Sequence, residues 1–126
     1  MRNSRRDERG AAAVEFALVL PLLVMLVFGI FQFSIAYNRM QGLHAAAREG
    51  ARLASLPDTT SGEIVAKVND ALTGVVDSAT IDPGESCSGR SGDPVIVTVT
   101  YDNPIDIPFW GGPTVTLTGR GEFRCE

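Results

Sequence analysis

From Phe16 to Asn38 the chain carries no charged residue, and Phe16 to Phe31 is apolar throughout apart from Pro21 and Gly29. A bilayer core about 30 Å thick needs roughly 20 helical residues, so this stretch is long enough to span, with the segment at about 14 to 37. It exceeds the roughly 7 to 15 apolar residues of a signal peptide. The apolar period then continues: Met40, Leu43, Ala47, Ala51 and Ala54 recur at helical spacing, with Arg48, Glu49 and Arg52 on another face. Pro57 is the first stop signal. The pattern predicts one long helix from about Ala12 to about Leu56, roughly 65 Å at 1.5 Å per residue. Inside it, Pro21 cannot donate to the Ala17 carbonyl and is expected to kink or loosen the helix, although membrane helices also tolerate proline.

Beyond Pro57 the periodicity changes twice. After a short loop at Asp58-Thr-Thr, Ser61 is the expected N-cap of a second helix, with Glu63 in its first turn. Ile64, Val65, Val68 and Leu72 form its stripe and Gly74 closes it. Then a period of two takes over. Val95, Val97, Val99 and Tyr101 share one strand face, and Val115, Leu117, Phe123 and Cys125 share one face of the last strand; a weaker strand lies near Val75 to Ile81. The expected fold class is α+β: a long N-terminal helix, one short helix and an antiparallel sheet of about three strands. Between the two good strands, residues 102–113 hold too many prolines for regular structure, yet carry Ile105, Ile107, Phe109 and Trp110. These side chains either fold back over the edge of a small core or form a docking tip.

Charge orients this arrangement. Arg2, Arg5, Arg6 and Arg9 precede the apolar run against Asp7 and Glu8, and positive charge beside a spanning helix stays cytoplasmic. The expected organisation is a basic cytoplasmic leader at 1–10, a helix at 11–56 and an exported domain at 57–126, in a single-pass inner-membrane protein. After Pro57 eleven acidic residues face only Lys67, Arg90, Arg120 and Arg124, so the domain repels phosphate backbones and nucleic-acid binding is disfavoured. A domain this small has a marginal core. Cys87 and Cys125 could staple it, an even cysteine count in an exported domain favouring a disulfide over two free thiols. Such a bridge is worth about 2 to 4 kcal/mol.

Catalytic constellations are missing from the pattern. His44 stands among alanines with no nucleophile or second ligand at motif spacing, which suits a helix-surface or interface histidine better than a general base. The two cysteines have no partners for a tetrahedral zinc site. Gly119-Arg-Gly121 is not completed to a dinucleotide fingerprint, and Ser-Gly-Arg-Ser-Gly at 88–92 lacks the Lys of a phosphate loop. The expectation is a protein that is not an enzyme, with no cofactor, no metal and no small-molecule substrate.

Glu15 is the costly residue, because a carboxylate at the start of a spanning segment is there to meet a partner. No Lys or Arg lies between it and Arg39. If the bond after Gly10 were cut, Ala11 would present a new ammonium group about one turn from Glu15, and the two charges could pair between adjacent subunits. The alternative is an interfacial carboxylate that bends out to water. Farther along, Ala46, Gly50 and Ala54 stand four apart and make a flat small-residue face, with Arg48, Glu49 and Arg52 placed to pair along a contact. That face suits either another helix or this chain's own sheet.

A basic leader ending in Gly10, then Ala-Ala-Ala-Val-Glu-Phe, the apolar run with Ala-Leu-Val-Leu-Pro-Leu-Leu, and His-Ala-Ala-Ala-Arg-Glu-Gly-Ala-Arg at 44–52 together resemble the TadE-like minor pseudopilins of tight-adherence (Flp) pilus systems. The resemblance is specific over residues 9–56 and looser beyond. It implies a pilin-like fold and cleavage between Gly10 and Ala11 by a prepilin peptidase. It also implies retention in membrane lipid and assembly, through Glu15, Phe16, Pro21 and the helix, with other pilins, pseudopilins and assembly-platform proteins. Phe16 stands where the major pilins of these systems usually carry Tyr, which suits an accessory subunit. Two rival expectations remain: an uncleaved single-pass scaffold or sensor, and a domain released by signal peptidase after Ala36, where Ser34-Ile35-Ala36 forms a small-x-small site.

Overall fold

In the computed structural model, residues 4–108 and 110–126 are described, with side chains from Arg9 onward. Phe109, a member of the expected docking loop, lies outside the described residues. The chain divides into two compact units, Met1–Ser34 and Ile35–Glu126. Its elements are α1 (Ser4–Ala54), α2 (Ser61–Leu72), β1 (Thr80–Asp82), β2 (Pro94–Pro104) and β3 (Thr114–Arg124). The α+β class, with one long apolar helix, one short helix and three antiparallel strands in the order β1-β2-β3, is the one the pattern predicts.

Helix α1 begins earlier than the apolar run suggests, at Ser4. It runs on through Pro21. Its other end is closed by two distant donors. The Thr59 hydroxyl donates to the Leu53 carbonyl at 3.0 Å, and the Glu126 N–H donates to the Ser55 carbonyl at 3.0 Å, satisfying groups that a helix terminus leaves open.

The cap of α2 is one residue earlier than expected. Thr60, not Ser61, is the N-cap. Its hydroxyl accepts from the Glu63 N–H at 3.3 Å, while the Glu63 carboxylate accepts from the Thr60 N–H at 2.9 Å. Thr60 wins because its backbone is extended, as an N-cap requires, and because Glu63 then falls three residues on, completing a capping box. Gly74, in the left-handed region at φ 81°, follows the C-terminal end. The weak first strand is also shorter than expected, only Thr80–Asp82, paired to β2 as Thr80↔Thr100 and Asp82↔Thr98.

The second unit is a two-layer sandwich with both helices on one sheet face. Leu43, Ala46, Ala47, Ala51 and Ala54 of α1, Ile64, Val68 and Leu72 of α2, and Val95, Val97, Val99 and Leu117 of the sheet close its core. Thr98, Thr100, Thr116 and Thr118 alternate to the other face. What lets the layers meet is a pair of glycines, Gly119 and Gly121, that complete no nucleotide fingerprint. On β3 the helix-facing positions are Val115, Leu117, Gly119, Gly121 and Phe123, and a Cβ on Gly119 or Gly121 would run into the main chain of Leu43–His44 or Ala47–Arg48. The backbone of α1 therefore lies directly on β3 at these two positions. Val115 and Phe123, expected in the core face, lie toward the two ends of β3, outside this contact, and stay exposed.

Gly121→Ala should destabilise the second unit by about 1 to 3 kcal/mol through overpacking against helix backbone that cannot move aside. Thr118→Ala on the opposite face should change it little, with thermal melts of the full chain in detergent making the comparison. The cap gives a second test. Hydrogen bonds from the Thr60 backbone and then its side chain hold the Glu63 carboxyl below its ordinary value. A folded-state value below the unfolded one adds stability above the ordinary glutamate range, and that stability is lost as pH falls through the folded value. Thr60→Ala should cost about 1 kcal/mol at neutral pH and return the Glu63 carboxyl, followed by carbon-detected NMR titration, toward its ordinary range.

Candidate assembly segment

The residues that the pattern marks for assembly fall into two groups with opposite surroundings. From Gly10 to Phe31 every residue is exposed, including Val14, Phe16, Leu18, Leu22 and Ile30. Side chains this apolar and this exposed are unfavourable in water, and the same stretch is long and apolar enough to cross a membrane. Gly10, Ala11, Glu15, Phe16 and Pro21 all belong to this stretch and to α1. Ala11 and Glu15 are four apart on the helix, so they share a face one turn apart. Among the described residues no ion pair involves Glu15.

The second group has turned inward. Ala46, Gly50 and Ala54 are buried, and the space a Cβ would take at Gly50 is already filled by Val68, with Val97 and Ile64 behind it. Of the two partners that the small-residue face suits, this chain's own α2 and sheet occupy it. Arg48, Glu49 and Arg52 lie on the outer side and are exposed. Reading i, i+4 spacing alone cannot separate these outcomes, because close approach to a sheet and to another helix ask for the same small residues. The signal that distinguishes them is Gly119-x-Gly121 in a strand, two glycines on one face where another backbone comes near.

Polar groups fasten α1 to the sheet along its length. Arg39 Nη1 donates to Oδ1 of Asn103 at 2.5 Å, and its guanidinium lies 5.6 Å from the Tyr101 ring centroid. Asn103 is 1% exposed. One turn on, the Arg120 N–H donates to His44 Nδ1 at 3.2 Å. Because β3 is an edge strand, His44 takes a main-chain donor that a further strand would otherwise accept. Cys87 and Cys125 are bonded, with Cα atoms 5.4 Å apart, and the Cys125 N–H donates to the Asp93 carbonyl at 2.8 Å. Ile107 and Trp110 are exposed on the β2–β3 loop, whereas Ile105 is half-buried and its N–H donates to the Pro113 carbonyl at 3.1 Å. Among the described residues no three of His, Cys, Asp and Glu gather as a metal site.

One long apolar helix followed by a small α+β unit is consistent with a single-pass membrane protein, and the sequence comparison agrees with it. Residues 10–52 match the family model of TadE-like proteins, so the segment that holds the apolar helix and the start of the second unit is similar to that family. That match supports a role related to the Tad pilus and association with the membrane. No curated protein and no solved structure matches the chain.

Arg39→Ala would leave the buried Asn103 carbonyl oxygen without its charged donor. An unfolding free energy lowered by about 1 to 3 kcal/mol is expected, with Asn103→Ala adding little on top of it in a double-mutant cycle.

Proposed function

We propose that this chain is a minor pseudopilin, a membrane-inserted, non-enzymatic structural subunit for assembling a tight-adherence (Flp-type) pilus or a related secretion apparatus. The observation that carries the reading is the stretch from Gly10 to Phe31, exposed and apolar along its whole length except for Glu15, in the part of the chain that is TadE-like. A folded unit that uses up its own small-residue face supports it too, since assembly contacts then fall to the N-terminal half of α1. In this reading a prepilin peptidase cuts between Gly10 and Ala11. The new Ala11 ammonium of one subunit pairs with Glu15 of its neighbour inside lipid, where an unpaired carboxylate is costly. The N-terminus remains cytoplasmic and the second unit is exported, as the arginines of the leader suggest. Phe16 and Pro21 shape the packing surface next to Glu15, and other pilins and assembly-platform proteins are the partners.

The intact mass of the protein from membranes tests the processing step. A chain beginning at Ala11 is the expected result. One beginning at Met1 would make it an uncleaved scaffold or sensor, and one beginning at Tyr37 a secreted domain. With processing established, Glu15→Gln should leave the Ala11 N-terminus and the membrane level unchanged while subunit-to-subunit crosslinking between N-terminal segments falls several-fold. Crosslinking equal to that of the unaltered chain would sink the charge-pairing mechanism.

A further inference from the structure

Among the described residues the second unit exposes seven large hydrophobic side chains, and five of them, two at the end of the apolar run and three on the sheet and its loop, lie toward one end. These are Ile35, Tyr37, Ile107, Trp110 and Val115; only Leu56 and Phe123 lie elsewhere. The contacts along α1 show which end this is. Arg39 meets Asn103 and Tyr101, Leu43 meets Gly119, Ala47 meets Gly121, and Ser55 meets Glu126. Helix α1 therefore runs antiparallel to β2, and the loop after β2 emerges beside the point where α1 enters the unit. That entry point is continuous in sequence with the apolar stretch.

The tip of the loop presents Ile107 and Trp110 outward. Its base is closed by the Ile105 N–H donating to the Pro113 carbonyl at 3.1 Å. Above that, the N–H groups of Trp110 and Gly111 both donate to the Ile107 carbonyl, at 3.1 and 3.0 Å. This tight turn holds Ile107 42% and Trp110 73% exposed, with Val115 42% exposed at the start of β3 beneath them. A tryptophan this exposed is costly in water. Its amphipathic ring is at home at the headgroup level of a bilayer, where Trp and Tyr are enriched.

We propose that the β2–β3 tip, through Trp110 and Ile107, inserts into the lipid interface around the spanning helix and docks the second unit on the membrane surface. The inference rests on residues at about 14–37 spanning the bilayer. The distances are compatible. Arg39 lies about one turn, roughly 6 Å, beyond Ile35, and a few loop residues at about 3.3 to 3.6 Å each reach across the several-ångström headgroup layer. Charge says what kind of contact it is. The loop and its base carry Asp106 and Asp102, the latter accepting from the Thr116 hydroxyl at 2.7 Å, so attraction to anionic lipid does not drive it. The contact is aromatic and aliphatic, shallow, and indifferent to salt.

Trp110 is the single tryptophan of the chain, so its fluorescence reports this loop alone. The full chain is reconstituted in phosphatidylcholine vesicles, floated on a density gradient, and its emission compared in lipids brominated near the glycerol end or near the methyl end of the acyl chains. The expected result is a blue-shifted emission that falls by roughly half with shallow bromines and less with deep ones, unchanged by added salt. Ile107→Asp should weaken that quenching while the protein still floats. A chain that floats but shows water-like emission, or blue-shifted emission that bromine leaves untouched, would overturn lipid docking alone, the second outcome pointing to a protein contact. A chain that fails to float would overturn the spanning helix and the docking together.

Discussion

The contact between the main chain of α1 and the two glycines of β3 is the constraint on which the rest of the second unit depends. With a side chain at Gly119 or Gly121 the helix would have to stand off the sheet, and the alanines facing it would be too short to fill the gap. At the observed separation Ala47 and Ala51 suffice, and among the described residues Leu43 is the one long side chain that α1 buries. The same approach brings Arg39 to Asn103 and His44 to the edge of β3, bonds that need α1 and the sheet in one register. It also leaves room beside α1 for α2, whose Val68 fills the notch at Gly50.

One helix thus serves two surroundings, and the change falls where the residue types change. Up to Phe31 the side chains are large, apolar and exposed; from Leu43 onward the inward positions are small and buried. Large side chains suit lipid, where no neighbouring backbone limits their size. Alanine and glycine suit a backbone laid against a strand. This division has a functional meaning in the pseudopilin reading: the folded unit satisfies its own helix face, so contacts between subunits fall to the segment carrying Gly10, Ala11, Glu15 and Phe16. Arg48, Glu49 and Arg52 are left on the solvent side of the same helix, where they keep that side wet.

Closure of so small a unit draws on more than apolar burial. The Cys87–Cys125 bridge ties the loop before β2 to the end of β3, and the adjoining main-chain bonds of Gly92, Asp93, Cys125 and Glu126 continue that seam to the end of α1. At the opposite end Arg39 and Asn103 do comparable work with a buried hydrogen bond. The aromatic loop lies next to that polar fastening, so any surface it touches is mechanically linked to the place where α1 enters the unit.

Hydrophobic patterning by itself determined the long helix, its apolar half, the second helix and both long strands, because periods of 3.6 and 2 are imposed by local geometry wherever one face is buried. The local chemistry of Thr60 and Glu63 was legible as well, and was missed by one residue only because Ser61 is an equally acceptable cap type. What tertiary structure alone decided was which surface each face meets. The row Ala46, Gly50 and Ala54 reads identically for a neighbouring subunit and for the chain's own α2 and sheet, since both require small residues; the answer depended on Gly119 and Gly121, distant in sequence and uninformative until β3 is laid against α1. The exposure of Val115 and Phe123, formally on the buried side, likewise follows from where α1 touches an edge strand. Alternation tells which way a side chain points, and only the packed fold tells whether anything is there to cover it.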